Sequence, residues 1–315
     1  MDVAAPSVRT PRLWALWAAS RPSQLALILL IYVWGVGMAT VGPPLISRDS
    51  AAIAFDATTS TSVALGALAL LLVAIPIHYA NEAADVDTDA LERRTPFSGG
   101  SGALIITGLA PGFLLRSLAI VSAVGALVIA ASYLNGDLPT DAVVLLCVML
   151  LLGLTYSLPP FSLIRRGVGE AVNAILGGIL LPLYGVAVVA SPTWYAVLVV
   201  LPFTLVVGCN LLAVHWADRR ADGAVGKRTL VVRWAPSRIR ATFVLLAVSA
   251  ILLAGMLWLV GIFPLAVAAA HLVPIPFLYW GWRWLTVRRN PSPSVAAMVA
   301  LALAVTIAWW YVGIA

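Results

Sequence analysis

Nine apolar stretches, each close to twenty residues long, set what this chain can fold into: approximately 23–42, 60–80, 113–134, 141–158, 169–190, 193–216, 240–262, 264–284 and 293–314. An α-helix rises 1.5 Å per residue, so about 20 mostly apolar residues cross the hydrocarbon core of a bilayer. Inside that core only a helix or a closed barrel pairs all of its backbone polar groups. The pattern therefore predicts an all-α polytopic membrane protein with nine transmembrane helices. Very short turns join the helix pairs around Ser191 and Phe263. Residues 23–315 form the membrane domain, and residues 1–22, with Arg9, Arg12 and Trp14, read as a lead-in with a short interfacial helix. No apolar stretch precedes Arg21, so a cleaved signal peptide is not expected. Composition agrees: 62% of the 315 residues are hydrophobic and 10% charged, where a soluble domain carries about 25% charged.

The chain has a net charge of +6, which by itself would suit a nucleic-acid partner. The positions of the bases exclude that reading. Eighteen of the nineteen Lys and Arg fall at the N-terminus or in loops on the same side, leaving Arg48 opposite. The positive-inside rule then places the N-terminus in the cytoplasm and the C-terminus outside. For a prokaryotic cell this means the inner membrane. Topology accounts for the basic excess, and no nucleic acid is expected.

The acids gather at the cytoplasmic ends of the second and sixth spans. Asn81, Asp85 and Asp89 are spaced i, i+4, i+8, and so are Asp218 and Asp222 at i, i+4; each set lines one face of a continuing helix. Glu82 and Asp87 point elsewhere and are expected to be solvated. Like charges one turn apart repel, and ionisable groups close to the hydrocarbon are costly and commonly functional. Two readings follow: solvated helix ends beside basic loops, or paired carboxylates offset by a cation. Hard oxygen donors without Cys or convergent His suit Mg2+, which completes its shell with water and substrate phosphate. A diphosphate is then the natural bridge between the two clusters.

Bases flank both clusters: Arg93 and Arg94 after the first, then Arg219, Arg220, Lys227 and Arg228 after the second. Topology explains most of them; those nearest the acids, Lys227 above all, either serve topology as well or clamp phosphate oxygens. The loop 95–102, TPFSGGSG, is either a turn or a lid over a phosphate site. His78, His215 and His271 lack metal spacing; His215 either contacts an acceptor or its proton, or is a polar group at a helix end. Cys147 and Cys209 read as packing residues, and Tyr279, Trp280, Trp282 and Trp284 as an interfacial belt rather than a cation cage. Glu170 and Asn173 open the fifth span, and pairing or capping with Arg165 and Arg166 is expected there.

Three motifs together resemble the UbiA superfamily of intramembrane prenyltransferases. NEAADVDTD is similar to the family's N-D-x-x-D-x-x-x-D, with Glu82 standing at its second position. ADRRADGAVGKRTL is similar to its D-x-x-x-D followed by G-K-R-T, and TYSLPP (155–160) to its Tyr-Ser-x-Pro-Pro. The segment TPFSGGSG departs from the R-P-x-x-S-G form of the quinone, haem and chlorophyll branches, whereas GKRTL is closer to the naphthoate-prenylating, menaquinone-type branch.

The resemblance implies a helical bundle around a central cavity open sideways to lipid. It implies Mg2+ held by Asn81, Asp85, Asp89, Asp218 and Asp222, gripping the diphosphate of an allylic polyprenyl donor. Tyr156 and Ser157 would sit beside the donor, with Lys227, Arg228 and Arg94 facing the diphosphate. Loss of diphosphate leaves an allylic cation, which a small aromatic acceptor, a quinone precursor such as 1,4-dihydroxy-2-naphthoate, attacks. A UbiA-type terpene cyclase, in which the chain's own double bonds capture the cation, needs the same Asp motifs. A cation-coupled transporter would instead scatter its acids at the midplane on discontinuous helices.

Overall fold

The computed structural model describes residues 10–47, 56–91, 94, 95, 97 and 99–314, and all sites below lie among them. Arg9, Arg48 and Arg93, with Pro96 and Ser98 of the glycine-rich loop, fall outside. The described residues are mainly helical, and an isolated β-bridge pairs Ile46 with Pro192. In chain order the helices are α1 (Pro11–Ala19), α2 (Pro22–Thr40), α3 (Ala57–Ala84), α4 (Val86–Leu91), α5 (Ala103–Thr107), α6 (Pro111–Leu134), α7 (Thr140–Ser157), α8 (Gly169–Ile175), α9 (Leu181–Val189), α10 (Trp194–Ala224), α11 (Leu230–Arg233), α12 (Pro236–Leu259), α13 (Leu265–Ala270), α14 (Ile275–Trp284) and α15 (Ser292–Ile314). Among the described residues these supply nine segments long and apolar enough to cross a membrane, as expected.

Three details depart from the apolar runs. Helices α3 and α10 continue to Ala84 and Ala224, past the expected ends at 80 and 216. Their polar last turns stay helical because partners from elsewhere, Arg21 and Lys227, offset the carboxylates they carry. The fifth span joins α8 to α9 through a π-turn at Leu176–Leu180. The eighth is broken between α13 and α14, where Pro274 and Pro276 lack the N–H groups a continuous helix needs.

Helices α2, α9, α10 and α15 form the centre, with Trp34 set edge-on against Phe203 at 5.1 Å and Trp309 buried nearby. Hydroxyls at membrane depth find backbone acceptors: Tyr32 donates to Val63 O and Tyr184 to Gly66 O, both at 2.8 Å. Outer helices present apolar faces, with Leu127 and Leu134 of α6 73% and 82% exposed, the surface that lipid tails would cover. Cys209 is buried as expected, whereas Cys147 faces outward.

Small residues set the closest crossing, between α2 and α9. A Cβ on Gly35 would stand 2.1 Å from Pro182 O, and one on Gly185 would stand 2.3 Å from Tyr32 O. Backbone lies on both sides, so no side-chain rotation relieves the clash. Gly185→Leu is expected to separate the two helices at a cost of about 1–3 kcal/mol or more. Thermal unfolding in detergent would register this as a lowered midpoint; an unchanged midpoint would show that the crossing does not need glycine.

Candidate active site

Helix α3 ends at Asp85, whose φ of −102° and ψ of 4° leave the helical region. The break is one residue wide. Asp85 N–H still reaches Asn81 O at 3.0 Å, and Asp89 N–H reaches Asp85 O at 2.8 Å. The i, i+4 register survives, and Asn81, Asp85 and Asp89 all line one cavity of about 810 Å3. Asn81 Nδ2 donates to Asp85 Oδ2 at 3.0 Å and to Ser157 Oγ at 3.3 Å, tying α3 to the end of α7.

Asp218, Asp222 and His215 face the same cavity from α10. Beyond that helix the chain turns back through Gly226, at φ +76°, and Lys227 N–H closes on Asp222 O at 2.9 Å. The turn drives the chain's lone lysine inward. Its Nζ lies 2.9 Å from Asp85 Oδ1 and 3.2 Å from Asp222 Oδ1, so one ammonium bridges the two acidic motifs. Burial acts to lower the Lys227 pKa, but the Asp85 and Asp222 carboxylates outweigh it and hold the pKa above its usual value. Asp89 moves the other way: burial first, then the charges of Glu82 and Asp85, raise its pKa to about 7.

Glu82 corrects the expectation of a solvated side chain. It is 2% exposed. Its position on α3 turns it toward the glycine-rich loop and the α1–α2 junction. There it accepts from Arg21 Nη2 at 3.1 Å, Ser101 N at 3.1 Å, Ala103 N at 3.2 Å and the Ser101 hydroxyl. Arg21 itself sits in the left-handed region at φ 54°, an uncommon conformation for a residue with a side chain, and lines the cavity. Asp87 is exposed, as expected. Arg94 donates to Ser101 O across the loop.

Gly100 brings this loop against the acids. At φ +63° a Cβ would meet Asp89 Oδ2 at 1.8 Å. Gly100→Ala is therefore expected to push the loop off Asp89 and lower activity while the unfolding midpoint stays close to that of wild type. Parallel activity and melting measurements check this, and equal activity in the variant would remove the loop from the site.

Glu170 also departs from expectation. Its partners are His215 Nδ1 at 3.1 Å and Leu230 N at 2.6 Å, rather than the nearby arginines. Because α8 starts at Gly169, Glu170 faces inward to α10, while Arg165 and Arg166 donate to Val225 O and Pro160 O. His215 is thus a buried, partnered side chain on the cavity wall.

Of the residues singled out in the sequence, Asn81, Asp85, Asp89, Asp218, Asp222, Tyr156, Lys227 and Arg94 line the cavity. Ser157 is buried just behind it and holds Asn81. Arg228 is exposed and stands apart from the lining; its backbone N–H reaches Arg165 O at 3.3 Å. Away from the acids the walls become apolar, with Ile28, Ile31, Leu70, Val73 and Leu181. Arg21 and Asn210 are lining residues that the sequence reading missed. Asn210 lies two turns before Asp218 on α10, so extending the i, i+4 register backward would have found it. Nothing local marks Arg21, whose partner lies 61 residues away.

Among the described residues no three His, Cys, Asp or Glu side chains converge as a ready-made metal cage. The donors present are carboxylate and amide oxygens in two sets across a cavity. That arrangement fits a hard cation taking one or two carboxylates from the protein and the rest of its shell from water and phosphate.

The same bundle is found in solved structures. A homologue from Archaeoglobus fulgidus bound to GPP and Mg2+ superposes with a TM-score of 0.66 at 15% identity, over 96% of this chain and 100% of that one. An apo homologue from Aeropyrum pernix K1 gives 0.63 at 17% identity, covering 90% and 96%. A structure described for digeranylgeranylglyceryl phosphate synthase gives 0.63 at 13% identity, covering 96% and 99%. A search of curated proteins finds no match. The sequence profile of the UbiA prenyltransferase family matches residues 40–311, which takes in both acidic motifs and the bridging lysine, and the chain belongs to that family.

Proposed function

We propose that the protein transfers a polyprenyl group from an allylic polyprenyl diphosphate to a small aromatic acceptor within the membrane, with Mg2+ as cofactor. The observation that carries this reading is the meeting of two acidic motifs, four spans apart in sequence, at one polar end of an otherwise apolar cavity. The Archaeoglobus homologue bound to GPP and Mg2+ supports the choice of donor and metal.

In this reading Asp85, Asp89, Asp218 and Asp222, with Asn81, hold the metal, which supplies positive charge to the departing diphosphate. Asn81 is oriented for that by Ser157, and Lys227 and Arg94 offer further donors to phosphate oxygens. Arg228, exposed and outside the lining, takes no direct part. Tyr156 borders the donor. The apolar wall along Ile28, Leu70 and Val73 receives the prenyl chain and keeps water from the allylic cation. The donor's C–O bond breaks with its electron pair leaving on diphosphate; the acceptor ring supplies the pair for the new C–C bond and then releases the proton from that carbon, which restores its aromaticity. The run Gly226-Lys227-Arg228-Thr229-Leu230 favours a menaquinone-type acceptor, 1,4-dihydroxy-2-naphthoate. The distribution of Lys and Arg favours an N-terminus in the cytoplasm, with the acidic end of the cavity on that side.

The test is diphosphate release and product analysis by purified protein with Mg2+ and geranylgeranyl diphosphate, with and without dihydroxynaphthoate. Acceptor-dependent release with a prenylated naphthoate is expected. Release without acceptor, giving a cyclic hydrocarbon or alcohol, would replace this reading with a terpene cyclase.

A further inference from the structure

On the outside of the bundle, and sharing no residue with the central cavity, a groove of about 490 Å3 runs between α12 and α14. Its α12 wall is the i, i+4 stripe Phe243, Ala247 and Ile251; Leu278, Tyr279 and Trp282 form the other wall. From residue 243 to 252 a helix rises about 14 Å, close to half of a roughly 30 Å hydrocarbon core, or one leaflet.

Arginines stand at the end of the groove where α12 begins and α14 finishes. Arg240, one turn before Phe243, stacks 4.7 Å over the Trp282 ring. Its Nη1 donates to Trp282 O at 2.9 Å and Leu285 O at 2.6 Å. Arg283 is exposed, with Nη1 3.5 Å from the Tyr279 hydroxyl. No carboxylate competes for them within this part of the chain: residues 223–315 hold eight Lys and Arg and no Asp or Glu.

We propose that this groove is a binding site for one anionic phospholipid, its acyl chain along α12 and α14 and its phosphate on Arg283 and the outer edge of Arg240. The occupant must be apolar for a leaflet's depth and anionic at one end only. Basic sites between transmembrane helices select anionic headgroups in this way. Arginines that served topology alone would give no headgroup selectivity, because any lipid tail fills an apolar groove equally well.

Native mass spectrometry of the full chain, released from detergent with equimolar dioleoyl phosphatidylglycerol and dioleoyl phosphatidylcholine, tests the site. Wild type is expected to retain phosphatidylglycerol at least fivefold over phosphatidylcholine. Arg283→Gln should cut that preference at least threefold, and Ala247→Trp, which fills the groove, should lower retention of both lipids. Diphosphate release stays at the wild-type level in Arg283→Gln, since the residue lies outside the cavity. Equal retention of the two lipids by wild type overturns the proposal, as does unchanged selectivity in Arg283→Gln, which decides the matter alone if Ala247→Trp does not fold. Displacement of the retained lipid by geranyl diphosphate would assign the groove to a prenyl donor instead. A dimer that Ala247→Trp dissociates would assign it to a second copy.

Discussion

Asp218→Asn and Asp85→Asn are each expected to lower Mg2+-dependent diphosphate release by at least about a hundredfold, the scale of losing one group that stabilises developing charge. The substitution keeps side-chain shape and removes one negative charge. The two residues lie on different helices, α10 and the α3 terminus, yet line one cavity. Either loss should therefore disable the same step, and the double variant should be little worse than the singles, as for groups that act as a unit. Asp87→Asn supplies the control: it removes an acid from the same motif, but an exposed one outside the cavity lining. Release by Asp87→Asn is expected to stay within about twofold of wild type, since surface substitutions seldom perturb the fold. Melting curves for wild type and the four variants separate lost chemistry from lost structure. Near-normal release by Asp218→Asn or Asp85→Asn would remove that carboxylate from the reaction.

The spans were legible because crossing a bilayer needs little beyond apolar length, and sequence shows that directly. The carboxylate register was legible for a related reason. A spacing of four residues survives even the one-residue break at Asp85, since the Asp89-to-Asp85 hydrogen bond resumes at once. What the sequence hid was compensation between distant segments. Glu82 reads as a solvated acid until Arg21, 61 residues earlier, and the 101–103 backbone are seen to surround it. Glu170 reads as the partner of two adjacent arginines. Yet the inward start of α8 hands it to His215 and Leu230, 45 and 60 residues away. The broken eighth span is a different case. Pro274 and Pro276 were in plain view, but a run of apolar residues on both sides concealed that their missing N–H groups would interrupt the helix. The profile match over residues 40–311 likewise marks the family rather than any one acceptor.

Lys227→Met should destabilise the protein by about 3–5 kcal/mol, the cost of leaving buried charge without its partner. In wild type the Lys227 ammonium, 5% exposed, is shared between Asp85 and Asp222, which are themselves 15% and 5% exposed. Methionine retains the side chain's apolar length while deleting its charge, so two carboxylates would face each other across the gap with no cation between them. The effect should depend on those carboxylates. Adding Asp222→Asn to Lys227→Met is expected to recover part of the lost stability, although Asp222→Asn alone lowers it, and that difference measures the coupling. Lys227→Arg keeps the charge and should cost far less. A second cation should also substitute: Mg2+ is expected to raise the melting midpoint of Lys227→Met more than that of wild type, because both carboxylates are then free to hold it. Thermal unfolding of wild type and the four variants in detergent, with and without Mg2+, reads all of these together. If the single and double variants lose equal stability and respond equally to Mg2+, the lysine is not the bridge that joins the two acidic motifs.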